Sequence, residues 1–156
     1  MHLHAIWLEN AIVIDNAKHA VKKAVEVLKE SKVEFDTIAF SGMSGALFAT
    51  PLAHRMNKEM ILVRKSSDQR HSCHSVEGYQ AAKRVLIVDD ICASGTTVKH
   101  IIAGIRAHCN GPVKIVGAYF YGEGRGAWGS PVGFVEKIHI NTEGLIPTII
   151  DIEVSQ

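Results

Sequence analysis

The most constraining feature of the chain is residues 84–97, where an apolar run meets two adjacent acids and then small, hydroxyl-bearing residues. Residues 85–88 are uninterruptedly apolar, which is typical of a parallel strand covered on both faces. Asp89 and Asp90 follow at the end of that strand, at the carboxyl edge where open α/β sheets bind ligands. The pattern therefore predicts a strand, a tight turn and a helix around a ligand site.

The turn after the two acids has the composition of a phosphate cradle. Its residues can turn tightly and present backbone N–H groups at the start of the next helix. They are Ala93, Ser94, Gly95, Thr96 and Thr97. Acids beside such a cradle repel phosphate unless they hold sugar hydroxyls or a bridging Mg²⁺. These groups together suit a phosphorylated sugar, and the plainer alternative, a helix cap, does not require two acids on the strand side.

Apolar runs alternate with helical patterns along the rest of the chain. Buried strands are predicted at residues 37–40, 60–63 and 113–121. A short strand at residues 12–14 is predicted to precede a helix capped by Asp15. The alternation predicts an α/β fold, a twisted parallel sheet with helices on both faces. With 156 residues, the chain has the length of a single domain.

Composition narrows the classes of function. The chain is 47% hydrophobic and 21% charged, with a formal net charge of +1. This charge provides no field for nucleic acid or an anionic membrane surface, and no apolar run is long enough to span a bilayer. Three cysteines without a CxxC pair and an N-terminus unlike a signal peptide predict a cytoplasmic protein. The nine histidines lack the grouped acids and cysteines of a zinc site.

A second candidate anion site follows the strand predicted at residues 37–40. Its glycines permit backbone conformations closed to other residues, and a run of free N–H groups there would bind an anion. The residues are Ser41, Gly42, Met43, Ser44 and Gly45. They are predicted to form a loop before a helix at residues 46–56. Taken alone the signal is weak, because many such turns are simple connections.

Two cations and a long polar segment follow the next predicted strand. Arg64 and Lys65 end that strand and are predicted to point into the same cleft, where Arg suits bidentate phosphate contacts and Lys supplies a point charge. An ordinary charged strand end is the alternative. Residues 66–80 are polar and without periodicity, which in a compact domain indicates a functional loop or a merely exposed one.

Residues 84–97 resemble, over about thirteen positions, the phosphoribosyl pyrophosphate signature of the type I phosphoribosyltransferases. The resemblance implies a twisted parallel core at about residues 35–121. It also implies a small hood, built from the N-terminal residues and residues 122–156. The implied reaction is transfer of 5-phosphoribose from phosphoribosyl pyrophosphate to a nitrogenous base, with release of pyrophosphate. Mg²⁺ is the implied cofactor, and the family habit suggests a homodimer.

The same resemblance assigns roles to the candidate residues. Asp89 and Asp90 would meet the ribose hydroxyls, directly or through Mg²⁺, and residues 93–97 would hold the 5′-phosphate. Residues 41–45, with Arg64 and Lys65, would hold the pyrophosphate. Residues 66–80 fall where the family carries a loop that closes over the reaction centre. In that loop, Glu77 would serve the base, and Arg70, His71 and His74 would stabilise the leaving pyrophosphate.

The identity of the base is constrained at one position. In the 6-oxopurine branch of the family a third acid stands three positions after the second acid of the signature, and here that position is Ala93. This departure favours a base of the adenine or orotate type. Candidate stacking residues are Trp128, Phe134, Tyr119 and Tyr121, although single aromatic residues are more often part of the core.

Three other readings compete with a transferase. A non-catalytic module could keep the signature and only bind phosphoribosyl pyrophosphate as a sensor or regulator. A receiver or hydrolase of similar topology remains open because such sheets host many chemistries, but it does not explain the hydroxyl-rich turn after paired acids. A nucleoside triphosphatase is disfavoured because the chain has no G-x-x-x-x-G-K-[ST] loop.

Overall fold

The computed structural model describes residues 12–65, 74–90, 95–122 and 130–132. Helices and strands alternate along these residues, as the apolar pattern predicts. The described elements are α1 (Ile14–Glu30), β1 (Thr37–Phe40), α2 (Gly42–Met56), β2 (Glu59–Val63), β3 (Val76–Gly78), β4 (Arg84–Asp89), α3 (Thr96–His108), β5 (Lys114–Phe120) and β6 (Ser130–Val132).

The strands form one sheet in the order β3-β2-β1-β4-β5-β6. The four inner strands are parallel, and β3 and β6 add antiparallel edges. The register is fixed at the centre, where Ala39 of β1 stands opposite Ile61 of β2 and Ile87 of β4. The predicted α/β class with a mainly parallel sheet is therefore confirmed.

The chain reverses its direction across the sheet between β1 and β4. From β1 it passes through α2 to β2 on one side, and from β4 it passes through α3 to β5 on the other. The carboxyl ends of two adjacent parallel strands thus lead into helices that diverge. Such a topological switch point leaves a crevice at the sheet edge, and open α/β sheets bind their ligands there.

Helices cover both faces of the sheet because the four inner strands are apolar on both sides. On one face, α1 and α2 pack against alternate residues of the strands, with Ala24, Leu28, Phe48 and Leu52 among the fully buried side chains. On the other face, α3 buries Val98, Ile101, Ile102 and Ile105 against a second cluster. Helix α1 lies before the predicted core at residues 35–121, yet its apolar stripe packs on the same sheet.

Close packing on the second face depends on one glycine. A Cβ atom on Gly104 of α3 would lie 2.7 Å from the Cγ1 atom of Val63 in β2. The missing side chain lets the helix backbone approach the strand. Helix α3 therefore packs tightly on the carboxyl end of β2, where the two predicted cations follow.

Two local predictions at the helix starts are wrong. Residues 12–14 do not form a strand, since α1 begins at Ile14 and its N-cap is Val13, while Asp15 lies in the first turn. Residues 42–45 do not form a loop, since α2 begins at Gly42 with Ser41 as its N-cap. Residues 12–14 are exposed and lack the burial of a sheet strand. Gly45 of α2 packs on Phe40 and the carbonyl of Val88, and this packing overrides the turn tendency of glycine.

The segment predicted as irregular contains a short strand. Val76–Gly78 forms β3 and pairs antiparallel with β2, with Leu62 opposite Glu77. Pairing along the open edge of β2 satisfies the backbone N–H and C=O groups of this segment. Its polar side chains give no indication of a strand. None of the described helices has the length and apolarity needed to cross a bilayer.

Candidate active site

The two acids of the signature end β4 at the switch point. Asp89 is the last residue of β4 and only 5% exposed, while Asp90 is half-buried beside it. The backbone N–H of Asp90 donates to Oδ1 of Asp89 at 3.0 Å. Burial, and then the charge of Asp90, raise the pKa of Asp89 to about 7, although that N–H and the ammonium of Lys65 act in the opposite direction. A buried carboxylate of this kind favours a bound cation or hydroxyl donor.

Helix α3 begins at the same sheet edge and presents its N-terminus there. Its N-cap is Gly95, with φ of 74°, a left-handed conformation that favours glycine. Thr96 and Thr97 form the first turn, at the end of the helix that carries the partial positive charge of the helix dipole. This is the geometry of an anion site at a helix terminus. Ala93 and Ser94, the other predicted members, lie outside the described residues.

A second helix N-terminus, that of α2, lies beside the first because β1 and β4 are neighbours. Gly42 has φ of 68°, and Lys65 packs against it. Ser41 is 1% exposed, and its hydroxyl has no hydrogen-bond partner among the described residues. The predicted members Ser44 and Gly45 lie in the first turn of this helix, whereas Met43 is 70% exposed.

The two predicted cations have different surroundings. The ammonium of Lys65 approaches Gly42 and acts electrostatically on Asp89, so Lys65 faces the crevice. The guanidinium of Arg64 instead pairs with Glu77 of β3, with 3.1 Å between Nη2 and Oε2. The Nε atom of Arg64 is buried without a partner among the described residues. Glu77, which is predicted to serve the base, thus forms an ion pair with Arg64 in the structure.

Tyr121 follows β5 and supports the start of α2 on the face of the sheet that α2 covers. Its hydroxyl donates to the carbonyl of Ser44 at 3.1 Å, and its ring stacks on Phe48 with centroids 4.2 Å apart. Burial, and the nearby Asp90 and Asp89, raise the pKa of this phenol, so it remains a donor. Tyr121 and Tyr119 are both buried and offer no free ring face to a base.

One contact at the site had no sequence signal. Nε2 of His100 in α3 lies 2.8 Å from the carbonyl oxygen of Arg64. Polar residues on exposed helix faces are common, and the contact of His100 depends on how α3 packs beside β2. Of the remaining predicted residues, His74 is described and exposed. Arg70, His71, Trp128 and Phe134 lie outside the described residues.

The donor set fits Mg²⁺ better than a metal held by protein alone. Within residues 12–65, 74–90 and 95–122, no three His, Cys, Asp or Glu side chains come together as a metal site. Mg²⁺ is commonly held by one or two carboxylates, with waters and substrate phosphates completing the octahedron. Asp89 and Asp90 offer that number of carboxylates beside two helix N-termini.

The chain is similar to curated phosphoribosyltransferases and to one regulator. An adenine phosphoribosyltransferase of Petrotoga mobilis is 33% identical over 99 residues, covering 54% of this chain and 56% of its own length. An orotate phosphoribosyltransferase of Staphylothermus marinus is 29% identical and covers 53% and 41%. The transcriptional regulator GfcR of Methanocaldococcus jannaschii is 28% identical and covers 70% and 56%. The chain thus spans about half the length of these relatives.

Solved structures and a family model agree with this result. The crystal structure of an adenine phosphoribosyltransferase from Thermoanaerobacter pseudethanolicus has a TM-score of 0.54 at 22% identity, covering 69% of each chain, which shows a shared fold. The model of the phosphoribosyl transferase domain matches residues 10–148, nearly the whole chain. Together with paired acids at the switch point of the sheet, this match shows that the chain belongs to the phosphoribosyltransferase family, of the type I fold.

Proposed function

We propose that this chain transfers 5-phosphoribose from phosphoribosyl pyrophosphate to a nitrogenous base of the adenine or orotate type, releasing pyrophosphate. The observation that carries the proposal is the position of Asp89. It is buried at the switch point of the sheet, beside Asp90 and Lys65, and two helix N-termini open at the same edge. Cation, anion and hydroxyl subsites lie within one crevice, which is what a sugar carrying phosphate at both ends requires.

Each subsite has a chemical counterpart in the ligand. The start of α3, with Gly95, Thr96 and Thr97, would hold the 5′-phosphate, and Ala93 and Ser94 are proposed to complete that cradle. The start of α2, with Lys65, would hold the pyrophosphate. Asp89 and Asp90 would accept hydrogen bonds from the ribose hydroxyls. Mg²⁺, when bound at these two acids, would neutralise the pyrophosphate charge.

The reaction asks for little covalent work from the protein. The bond from C1 of the ribose to the pyrophosphate oxygen breaks, and pyrophosphate leaves with the electron pair. A ring nitrogen of the base donates a pair to C1 and releases its proton to solvent. Positive charge develops on the ribose ring between these events. The carboxylates of Asp89 and Asp90 would stabilise that charge, while Lys65 would stabilise the leaving group.

Arg64 and Glu77 have a joint role in the proposal. Their ion pair lies at the carboxyl end of β2, directly before Lys65. Pyrophosphate is a stronger partner for a guanidinium than one half-exposed carboxylate, because it carries more charge and more acceptor oxygens. We therefore expect Arg64 to exchange Glu77 for pyrophosphate when ligand binds. Glu77, released from Arg64 in that exchange, is then proposed to serve the base.

A base screen tests the activity. The chain is incubated with phosphoribosyl pyrophosphate and Mg²⁺, and adenine, orotate, hypoxanthine, guanine, xanthine, uracil and nicotinate are added in turn while pyrophosphate is measured. Release with adenine or orotate supports the proposal. Release only with a 6-oxopurine would contradict the inference drawn from Ala93.

A binding experiment tests the site separately from turnover. Calorimetric titration with phosphoribosyl pyrophosphate and Mg²⁺ is expected to show binding to the wild-type chain. The double substitution Asp89→Asn and Asp90→Asn is expected to weaken Mg²⁺-dependent binding and abolish turnover. Unchanged binding by the double variant would contradict the assignment of both residues.

A non-catalytic binding module is the second candidate. The similarity to a protein named as a transcriptional regulator, over 70% of this chain, favours it. It predicts binding of phosphoribosyl pyrophosphate without pyrophosphate release from any base in the screen. The near-neutral charge of this chain gives no reason to expect direct binding to nucleic acid. A homodimer and a cytoplasmic location are part of the main proposal, and sedimentation equilibrium tests the first of them.

A further inference from the structure

The side chain of His100 joins two elements that carry different subsites. It lies one turn after Thr96, the first residue of α3, and its Nε2 atom is 2.8 Å from the carbonyl oxygen of Arg64. A carbonyl oxygen only accepts, so the ring nitrogen donates its hydrogen. Arg64 in turn immediately precedes Lys65. The bond therefore connects the first turns of α3 to Arg64, the residue before Lys65.

The end of β2 is held at this point from both sides. The backbone N–H of Arg64 donates to the carbonyl of Ser75 at 2.8 Å, on the β3 side. Its carbonyl accepts from His100, on the α3 side. One turn further along α3, Gly104 packs closely on Val63. These contacts fix where the chain leaves β2, and with it the direction in which Lys65 points.

We infer that His100 is a positioning residue that holds the two phosphate subsites of the proposed function at a fixed separation. One subsite is the N-terminus of α3, and the other is Lys65 with the N-terminus of α2. The inference rests on the proposed function and adds a residue that the signature does not contain. His100 touches no ligand in this scheme and acts only through the backbone of Arg64.

The role has a consequence that a purely structural hydrogen bond lacks. Phosphoribosyl pyrophosphate has phosphate at both ends and must meet both subsites at once. Pyrophosphate or ribose 5-phosphate occupies only one. A fixed separation lowers the ordering cost for the ligand that bridges the subsites and leaves the single-subsite ligands nearly unaffected.

Two variants of His100 test this prediction. His100→Leu removes the donor and keeps an apolar side chain of similar size, whereas His100→Gln retains an N–H donor at similar reach. Dissociation constants are measured by calorimetry with Mg²⁺ for phosphoribosyl pyrophosphate, pyrophosphate and ribose 5-phosphate. His100→Leu is expected to weaken phosphoribosyl pyrophosphate binding about threefold to tenfold, the range of one net hydrogen bond. The dissociation constants of His100→Leu for pyrophosphate and ribose 5-phosphate are expected to change less than about twofold. His100→Gln is expected to restore phosphoribosyl pyrophosphate binding to within about twofold of wild type.

His108 supplies the matched control on the same helix. Its Nε2 atom lies 3.2 Å from the carbonyl oxygen of Gly78, which is the same kind of bond at the other end of α3. His108→Leu is expected to lower the melting temperature about as much as His100→Leu does. Binding of phosphoribosyl pyrophosphate should remain unchanged, because no subsite lies at that end of the sheet.

The outcomes separate this inference from the proposed function. If the wild-type chain does not bind phosphoribosyl pyrophosphate with Mg²⁺, the proposed function fails and the positioning role falls with it. If the wild type binds and His100→Leu binds equally well, or loses as much affinity for pyrophosphate, only the positioning role is overturned. Should His100→Leu not fold, His100→Asn replaces it, since its shorter amide cannot reach Arg64, and the same comparison with His100→Gln decides.

Discussion

The Nζ atom of Lys65 lies 3.1 Å from the position that a Cβ atom on Gly42 would occupy, and its Cε atom lies 3.0 Å from the same position. Gly42 is the first residue of α2, and its φ of 68° lies in the left-handed region. Glycine is thus required there for two reasons, the backbone conformation and the space taken by Lys65. The missing side chain of Gly42 therefore leaves the space in which Lys65 reaches the crevice.

Substitution Gly42→Ala tests this contact. The left-handed conformation should cost about 1–3 kcal/mol of folding free energy, and the new methyl group should displace the ammonium of Lys65. We expect a lower urea midpoint and weaker pyrophosphate binding. Gly111→Ala is the control, because a Cβ atom there meets nothing within 4 Å. Equal behaviour of the two variants would show that Lys65 is not held by Gly42.

The raised pKa of Asp89 predicts a dependence of stability on pH. The folded pKa is about 7 against an ordinary 3.8, so the folded protein binds more protons than the unfolded chain between about pH 4 and pH 7. The stability of the Mg²⁺-free protein should therefore fall as pH rises through this window, through the contribution of Asp89. Asp89→Asn should become more stable relative to wild type from pH 5 to pH 8. A difference in melting temperature that is independent of pH would refute this cause.

The pair of Arg64 and Glu77 predicts a change in anion affinity. Glu77→Gln keeps the size of the side chain and removes the charge that holds the guanidinium. The pair is partly exposed, so its loss should cost less than about 1 kcal/mol of stability. Pyrophosphate should bind about twofold to fivefold more tightly, because a competing carboxylate is gone. Weaker binding would mean that Glu77 orients Arg64 toward the ligand.

The hydroxyl of Tyr121 predicts an effect on the start of α2. Tyr121→Phe keeps the stacking on Phe48 and removes the donor to the carbonyl of Ser44. We expect a loss of about 1 kcal/mol in the free energy of unfolding, the usual net contribution of one buried hydrogen bond. Chemical denaturation measures this loss. Tyr79→Phe, at a residue that is 40% exposed, is the comparison that should show little change.

The glycine in the middle of α3 predicts a packing conflict. Alanine is a better helix former than glycine, by about 1 kcal/mol, so an exposed site would gain stability from Gly104→Ala. Here the new methyl group would meet the stiff side chain of Val63 at 2.7 Å. We expect a net loss of about 1–3 kcal/mol, the range of overpacking. A gain in melting temperature would show that α3 moves away from β2 without cost.

Much of this fold follows from short-range patterns along the chain. The apolar run at residues 85–88 predicts a doubly covered strand, and the structure buries all four residues. The acids after it lie at the carboxyl edge because the C-terminal ends of parallel strands all lie at that edge of the sheet. The stripe of α1 and the apolar positions of α3 likewise follow from helical periodicity. These features depend on neighbours a few residues apart, which the sequence displays directly.

Other features depend on partners that only folding brings together. Ser41 and Gly42 belong to a helix end because Gly45 packs on Phe40 and the carbonyl of Val88. Arg64 pairs with Glu77 because β3 returns antiparallel along β2. The carbonyl of Arg64 accepts from His100, which lies 36 residues later in the chain. A charged side chain has several possible partners of similar energy, and burial geometry selects one. Local residue patterns therefore specified the four inner strands, the helical stripes and the acidic edge. The packed sheet decided that Lys65 faces the crevice while Arg64 is held by Glu77.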